Sequence, residues 1–194
     1  MRSVEEVRQG IHEPDSRRLR MLLLCTTMGS LPEAGFAWCM TADLFQTVAT
    51  TTSAVCAAAT GGVYVAFSTM VMPALNSRPG SEAIGAMQRI NVQAVRPPFM
   101  VLFFGGAAAS VVAGLTAGTT DTYGLVRLAG AVLSLASFGV TAAVNVPLNN
   151  RLARVAGAGD LAWQAFEQPW TRANTVRGVL ALAGAAALAG SLTR

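Results

Sequence analysis

The sequence predicts an all-α integral membrane protein, a four-helix bundle with a short amphipathic helix between the first and second membrane spans. The 194 residues are 53% hydrophobic and only 12% charged, whereas soluble domains carry about 25% charged residues. Residues 44–77 contain no charged side chain at all, and three further apolar runs follow. Since a membrane helix needs about 20 apolar residues, four spans are expected.

The membrane domain is expected to comprise residues 43–194, with spans at about 48–72, 99–117, 125–146 and 175–192. Pro73 and Pro147 are expected to end the first and third spans, because proline lacks the N–H that continues a helix. Pro97-Pro98 is expected to begin the second span. Small residues recur every four positions along that span, as they do where membrane helices pack closely, namely at Gly106, Ser110, Gly114 and Gly118.

A short amphipathic helix is predicted at 81–95, with Ser81 as its N-cap and Glu82 in its first turn. Its apolar face is formed by Ile84, Met87, Ile90 and Ala94. This pattern suits a helix that lies on the bilayer or across the mouth of the bundle.

A second short helix is predicted at about 160–168, in the connection before the fourth span. Trp163, Phe166 and Trp170 near it are typical of an aromatic belt at the level of the lipid headgroups. This connection and the fourth span are expected to be separate elements.

Residues 1–42 are polar, and disorder is predicted for them because Met1 to Arg20 contains five arginines and four acids with little periodicity. Ser16-Arg17-Arg18-Leu19-Arg20 before an apolar stretch resembles the start of a signal peptide. Met40 directly precedes the first span, so an extension from an upstream start site is the alternative. No function is assigned to this segment.

Several function classes are not expected. All fourteen basic residues are arginines, and they form no stripe interleaved with aromatics, so nucleic-acid binding is not expected. Cys25, Cys39 and Cys56 form no CxxC motif, and His12 is the only histidine. No disulfide framework, metal site or haem cofactor is therefore expected, and no oligomeric state follows from the sequence.

The arginines also predict an orientation in the cell membrane. The connections at 73–98 and 147–174, with the start of the fourth span, hold most of the arginines outside the N-terminal segment: Arg78, Arg89, Arg96, Arg151, Arg154, Arg172 and Arg177. By the positive-inside rule, both connections are predicted to face the cytoplasm.

Polar side chains are concentrated in these two connections and at the ends of the adjoining spans. If the spans form a bundle, the following would meet at one mouth: Asn91, Arg96, Asn145, Asn149, Asn150, Trp170, Asn174 and Arg177. In one interpretation they cap helix ends and reach lipid phosphates. In the other they line an amide-rich, aromatic-walled pocket for a phenolate or another planar anion.

The order of short motifs resembles the anthrone oxygenase-like family of small membrane proteins. The resemblance covers about residues 44–190. It rests on Ala66-Phe67-Ser68 through Val71-Met72-Pro73-Ala74-Leu75, Ala86-Met87-Gln88-Arg89-Ile90-Asn91, Val95-Arg96-Pro97-Pro98-Phe99-Met100, Asn145-Val146-Pro147-Leu148-Asn149-Asn150 and Trp170-Thr171-Arg172-Ala173-Asn174-Thr175-Val176-Arg177.

The resemblance implies four membrane helices and oxygenation of a polycyclic anthrone to an anthraquinone by dioxygen, without a metal or flavin. It supplies no catalytic residues. Such chemistry needs an apolar cavity, oxyanion donors and a proton acceptor. Candidates for the donors are Arg96, Arg177 and Asn149, for the walls Phe99, Trp163 and Trp170, and for the acceptor Glu82, Asp160 and Glu167.

Two other functions are compatible with the sequence. One is a membrane binding or accessory protein that holds a lipid or a quinone-like ligand without catalysis. The other is a transporter, which ranks last because the sequence has no inverted repeat and no buried charge pathway. The bilayer is the expected partner in every case.

Overall fold

A computed structural model describes residues 32–155 and 159–193, and these residues form helices joined by short turns. The helices, in chain order, are α1 (Pro32–Ala66), π1 (Phe67–Val71), α2 (Met72–Asn76), α3 (Gly80–Ala94), α4 (Pro97–Leu115), α5 (Thr122–Val140), π2 (Thr141–Asn145), α6 (Val146–Leu152) and α7 (Asp160–Gly190). The segments π1 and π2 are single stretches of π-helix. Contacts divide the chain after Phe45, and the packing and sites described below lie in the part from Gln46 onward.

Within residues 32–155 and 159–193, four helical stretches are long and apolar enough to cross a membrane, as expected: Met40–Asn76, Pro97–Leu115, Thr122–Leu152 and Asp160–Gly190. The second begins at the predicted proline pair. The other three exceed the expected lengths. A helix of 31 residues is about 46 Å long at 1.5 Å per residue, so it extends beyond a hydrocarbon core of about 30 Å.

The prediction that Pro73 and Pro147 end their helices is wrong. The N–H of Met72 bonds to the Phe67 carbonyl, five residues back, and the N–H of Val146 bonds to the Thr141 carbonyl in the same way. In both cases the π turn closes on the residue just before the proline. The extra residue in that turn moves the preceding carbonyls away from the proline ring, so each helix continues past it.

The predicted break between a short helix at 160–168 and the fourth span is also absent. Helix α7 runs continuously with Pro169 inside it. An internal proline costs about 3 kcal/mol, but the first part of α7, before Pro169, buries Trp163 and Phe166 to 5% exposure. Burial of large apolar side chains contributes about 1.5–3 kcal/mol each, which offsets that cost.

At its other end, α7 packs mainly against α5, and α5 also packs against α4. Glycines allow this close approach. A Cβ atom on Gly130 would lie 2.8 Å from Leu188 Cγ, and one on Gly184 would lie 2.5 Å from Ser134 Oγ. The small residues at the α5–α7 contact therefore set the distance between these two spans.

Helix α3 covers one end of the bundle, and its apolar face is buried as predicted for Ile84 and Met87. They belong to a core cluster with Met72, Ala83, Leu152, Trp163, Phe166 and Trp170. The prediction that the three aromatics of α7 form a headgroup belt is therefore wrong. Their spacing of three and four residues places them on one face of α7, and that face packs against α3 and α6.

The N-terminus of α3 is stabilised by another helix. Ser81 is not its N-cap, because the helix starts at Gly80 with Pro79 in the N-cap position. The Gly80 N–H donates to Asp160 Oδ1 at 2.7 Å. A carboxylate from the first turn of α7 thus does the capping that the sequence pattern assigned to Ser81, while Glu82 lies in the first turn as predicted.

The division at residue 43 and the disorder of residues 1–42 stay predictions, although α1 begins at Pro32. Residues 1–31 lie outside the described part of the chain. The Arg17-Arg18 segment, on which the signal-peptide interpretation rests, is among them, so that interpretation and its alternative stay predictions.

Candidate functional site

A cavity of about 640 Å³ lies between α3 and the spans. Its wall is mostly apolar, and it is built from α1, π1, α3, α4, π2, α6 and α7. The apolar side chains that line it include Val63, Phe67, Met87, Ile90, Phe99, Met100 and Val146. Small-molecule sites typically occupy about 300–1,000 Å³ and combine apolar walls with a few polar groups.

Arg177 is the cationic group deepest in this wall. It lies inside α7 and is 8% exposed. No ion pair joins it to a carboxylate within the described residues, where Glu82 faces Arg78 instead. Such a buried guanidinium must be stabilised by other groups, because burying an isolated charge is costly.

Neutral oxygens provide part of that stabilisation. Asn174 Oδ1 accepts from Arg177 Nη2 at 2.7 Å and from Nε at 3.1 Å. The Thr141 hydroxyl accepts from Nη1 at 3.2 Å. Three of the five guanidinium N–H groups are used in these bonds, so two more are available to an anion.

Two aromatic rings also contact the guanidinium. Arg177 Cζ lies 4.0 Å from the centroid of the Tyr64 ring and 5.6 Å from that of the Trp170 ring. Both distances are within the range of cation–π attraction. The rings line the cavity as well, so they form an aromatic floor beside the charge.

Asn174 fixes Arg177 to the first span. Its side chain is fully buried, and its Nδ2 donates to the Tyr64 carbonyl at 2.7 Å and to the Ser68 hydroxyl at 2.8 Å. The same amide therefore holds the guanidinium through its oxygen and α1 and π1 through its nitrogen. It is a positioning residue behind the cavity wall.

Two further asparagines hold Trp170. Its Nε1–H donates to Asn149 Oδ1 at 2.7 Å, and Asn145 Nδ2 donates to its carbonyl at 3.3 Å. Asn145 is 1% exposed. Its Oδ1 has no hydrogen-bond partner among the described residues.

The two π-helical segments lie at this level of the bundle. Segment π2 contributes Thr141 and Asn145, and π1 contributes Phe67 and Ser68. A π turn changes which side chains face the interior, and such turns are frequent at functional sites. Here they bring hydroxyl and amide groups toward α7 from both neighbouring spans.

The structure separates the eight predicted site residues into three groups. Asn91, Asn149, Trp170 and Arg177 line the cavity, and the Asn91 Nδ2 is buried without a hydrogen-bond partner in the described part of the chain. Asn145 and Asn174 lie behind these residues. Arg96 and Asn150 are exposed and do not line the cavity.

Of the other sequence candidates, Phe99 lines the cavity, whereas Trp163 does not. The three candidate proton acceptors are occupied elsewhere. Asp160 binds the Gly80 N–H, Glu167 accepts from Asn76 at 3.3 Å, and Glu82 faces Arg78 at 3.9 Å.

Sequence reasoning missed Tyr64 and Thr141, which contact Arg177 from two other spans. A hydroxyl in a membrane helix usually donates to the backbone of its own helix, as the Thr141 hydroxyl also does to the Ser137 carbonyl at 3.0 Å. A threonine in an apolar run therefore does not indicate a site. Tyr64 does carry a signal. It is one of only two tyrosines, and it lies in the middle of an uncharged run rather than at a membrane interface.

The described residues contain no group of three or more His, Cys, Asp or Glu side chains that could hold a metal ion. The chemistry that this arrangement offers is hydrogen bonding and positive charge at one end of an apolar cavity. It suits a flat aromatic molecule that carries one anionic oxygen.

Comparison with known proteins gives one match. The family model described as anthrone oxygenase matches residues 87–187, which include α4 to α6 and the site residues of α7. No curated protein and no solved structure matches the chain. The matched region covers just over half of the sequence, and the chain belongs to the anthrone oxygenase family.

Proposed function

We propose that the protein is an oxygenase that converts an anthrone-type polycyclic ketone to a quinone with dioxygen. The substrate binds as its enolate in the 640 Å³ cavity, with the enolate oxygen at Arg177. The observation that carries the proposal is the guanidinium itself, which is buried, has no carboxylate partner among the described residues and lies on the wall of an apolar cavity. Family membership supports the same reaction class.

The charge at Arg177 suits an enolate. A neutral anthrone gains a negative oxygen when its ring CH₂ loses a proton, and the two remaining guanidinium N–H groups can donate to that oxygen. Because the donors are held in place by Asn174 and Thr141, little reorganisation is needed as the charge develops. Arg177 thus favours the anion over the neutral ketone.

The reaction balances without another reductant. The enolate carbon adds dioxygen and, after protonation, gives a hydroperoxide at that carbon. Loss of water from the hydroperoxide forms the second carbonyl, so anthrone and dioxygen give quinone and water. The apolar wall holds the rings and limits the access of water, and Asn91 Nδ2 offers a further donor to the bound substrate.

The proton acceptor is assigned to water at the open side of the cavity. The described residues of the cavity wall include no carboxylate and no imidazole. Stabilisation of the enolate by Arg177 makes the ring CH₂ of the substrate more acidic, so a weak base such as water is enough to accept its proton.

The experiment is oxygen uptake by the detergent-purified protein on addition of an anthrone, with quinone formation followed by absorbance. Arg177→Met keeps an apolar stem but removes every donor, and we expect it to lower kcat/KM by about 10²–10³, as loss of an oxyanion donor does. Arg96→Ala is the matched control, because that arginine is exposed and away from the cavity. Tryptophan fluorescence and gel filtration verify folding.

Spontaneous oxidation of the anthrone in empty detergent sets the baseline. Equal turnover by Arg177→Met and the unchanged protein would refute the role of the guanidinium. A loss in Arg96→Ala as large as that in Arg177→Met would show that surface charge, rather than the cavity, controls the reaction.

A second function is favoured by the same lack of a carboxylate or imidazole on the described wall. In it the cavity binds a lipid or quinone-like anion without catalysis. If the protein has this function, a bound hydroxyanthraquinone should quench the fluorescence of Trp170, and the quenching should be lost in Arg177→Met. The oxygen uptake of the protein would equal the baseline.

We also propose that the protein lies in the cell membrane with connections 73–98 and 147–174 on the cytoplasmic side. The exposed arginines Arg78, Arg89, Arg96, Arg151 and Arg172 support this orientation. In a chain whose three cysteines are replaced by serine, a Ser77→Cys variant is expected to react with a membrane-impermeant maleimide only after the cells are opened. Labelling of intact cells would reverse the orientation.

A further inference from the structure

A second, smaller cavity, here called the inner cavity, is lined by residues of all four spans. Its volume is about 30 Å³. A cavity needs about 10–15 Å³ on this scale to hold one water, so there is room for a molecule of one or two heavy atoms. Its lining residues include Ala57 of α1, Phe103 and Ala107 of α4, Phe138 of α5 and Ala181 of α7.

The hydroxyl groups of this cavity are already engaged as donors within the protein. The Ser137 hydroxyl donates to the Arg177 carbonyl at 2.8 Å, and the Thr60 hydroxyl donates to the Cys56 carbonyl at 2.9 Å. Ser134 and Ser110 donate to carbonyls of their own helices, and Ser53 lies 2.7 Å from Ser110. Each of these protons therefore has an acceptor.

A water molecule in this cavity could donate to hydroxyl oxygens, but it would accept few hydrogen bonds in return. The protons of the lining serine and threonine hydroxyls are already used, and the Cys56 thiol is only a weak donor. The stacked rings of Phe103 and Phe138, with centroids 4.5 Å apart, form an apolar part of the wall. An apolar gas can be held against such a wall, as it is in purely apolar cavities of proteins.

Tyr64 lines both cavities and therefore lies between them. The same ring carries the Arg177 guanidinium at 4.0 Å. A small apolar molecule in the inner cavity would therefore be one side chain away from an enolate bound at Arg177. Dioxygen is such a molecule, and it dissolves better in hydrocarbon than in water, so the bilayer supplies it.

We propose that the inner cavity lined by Phe103, Ala107 and Phe138 is a dioxygen-binding site that delivers dioxygen past Tyr64 to the substrate cavity. This inference rests on the proposed oxygenase function for the identity of the gas. The existence of an apolar-gas site can be tested without catalysis.

The first test uses xenon as an apolar stand-in for dioxygen. Crystals of the full chain are pressurised with xenon, and a bound atom is expected between α1, α4 and α5. Ala107→Val adds two methyl carbons to this small space and is expected to abolish the xenon site. The neighbouring Ala108 is exposed on the same helix, so Ala108→Val is the matched control and should retain it.

The second test is kinetic. In Ala107→Val the KM for dioxygen is expected to rise at least about threefold with the KM for the anthrone unchanged, while Ala108→Val alters neither. Ala57→Val fills the cavity from another span, so it repeats the test if Ala107→Val does not fold. An unchanged KM for dioxygen in a folded filled variant overturns the delivery role.

The outcomes separate this inference from the proposed function. A cavity that contains ordered water, or no xenon under pressure, overturns the gas site whether or not the protein oxidises anthrones. Xenon bound in a protein that consumes no oxygen above the baseline overturns the oxygenase proposal and, with it, dioxygen as the ligand.

Discussion

Replacement of Asn174 by alanine tests the network that holds Arg177. The Asn174 side chain is fully buried and makes four hydrogen bonds, two accepted from Arg177 and two donated to Tyr64 and Ser68. Alanine removes all four. It leaves the guanidinium with the Thr141 hydroxyl as its remaining bonded oxygen within the described residues.

The size of the effect follows from these contacts. The two bonds from Arg177 share one oxygen, so we count them together as a single charge-assisted contribution of about 1.5–3 kcal/mol. The two donated bonds contribute about 0.6 kcal/mol each, the average measured between membrane helices. We therefore expect Asn174→Ala to lower the free energy of unfolding by about 3–4 kcal/mol.

The assay is reversible unfolding in mixed micelles with increasing denaturing detergent, followed by tryptophan fluorescence. Asn150→Ala is the matched control, because Asn150 is exposed and should change the unfolding free energy by no more than about 0.5 kcal/mol. A cost below about 1 kcal/mol for Asn174→Ala would refute the reasoning, since it would mean that Arg177 is stabilised by something other than this amide.

Two other substitutions test the packing around the site. Trp170→Phe removes the 2.7 Å bond to Asn149 and part of a buried indole ring, so it should lower the unfolding free energy by at least about 1 kcal/mol in the same assay. No change would mean that the bond contributes nothing. Gly130→Ala should weaken the packing of α5 on α7, because the new Cβ would lie 2.8 Å from Leu188 Cγ. Gly139→Ala is the control, because a Cβ at Gly139 has no atom within 4 Å. Gly139→Ala should be neutral or stabilising by up to about 1 kcal/mol, and thermal unfolding that ranks the two variants in the opposite order would contradict the packing described.

The sequence predicts the number of spans well because hydropathy depends on composition alone. Proline was less reliable. Pro97-Pro98 begins α4 as expected, but Pro73, Pro147 and Pro169 all lie within helices that continue. The reason is tertiary. A π turn or a buried aromatic face offsets the lost hydrogen bond, and neither is visible in the local sequence.

The candidate site was predicted as a set of residue types rather than as a geometry. Asn149, Trp170 and Arg177 do line one cavity. This was predictable because the helices that carry them were expected to meet at one end of the bundle. Arg96 and Asn150 are exposed instead. The sequence did not predict this, because the rotation of a helix about its axis decides which of several adjacent polar residues faces the cavity.

The buried position of Arg177 has a consequence for biosynthesis. An arginine at the centre of a membrane helix raises the free energy of insertion by about 2.5–3.5 kcal/mol, and α7 has the lowest mean hydropathy of the four candidate spans, 1.2. The partners that its charge needs from other helices, Tyr64 and Thr141, precede it in the chain and are synthesised earlier. Helix α7 therefore enters the bilayer against neighbours that already carry those partners. A circular permutant that began with α7 would expose the arginine to lipid alone, so the order of the spans is itself part of what allows this charge to be buried.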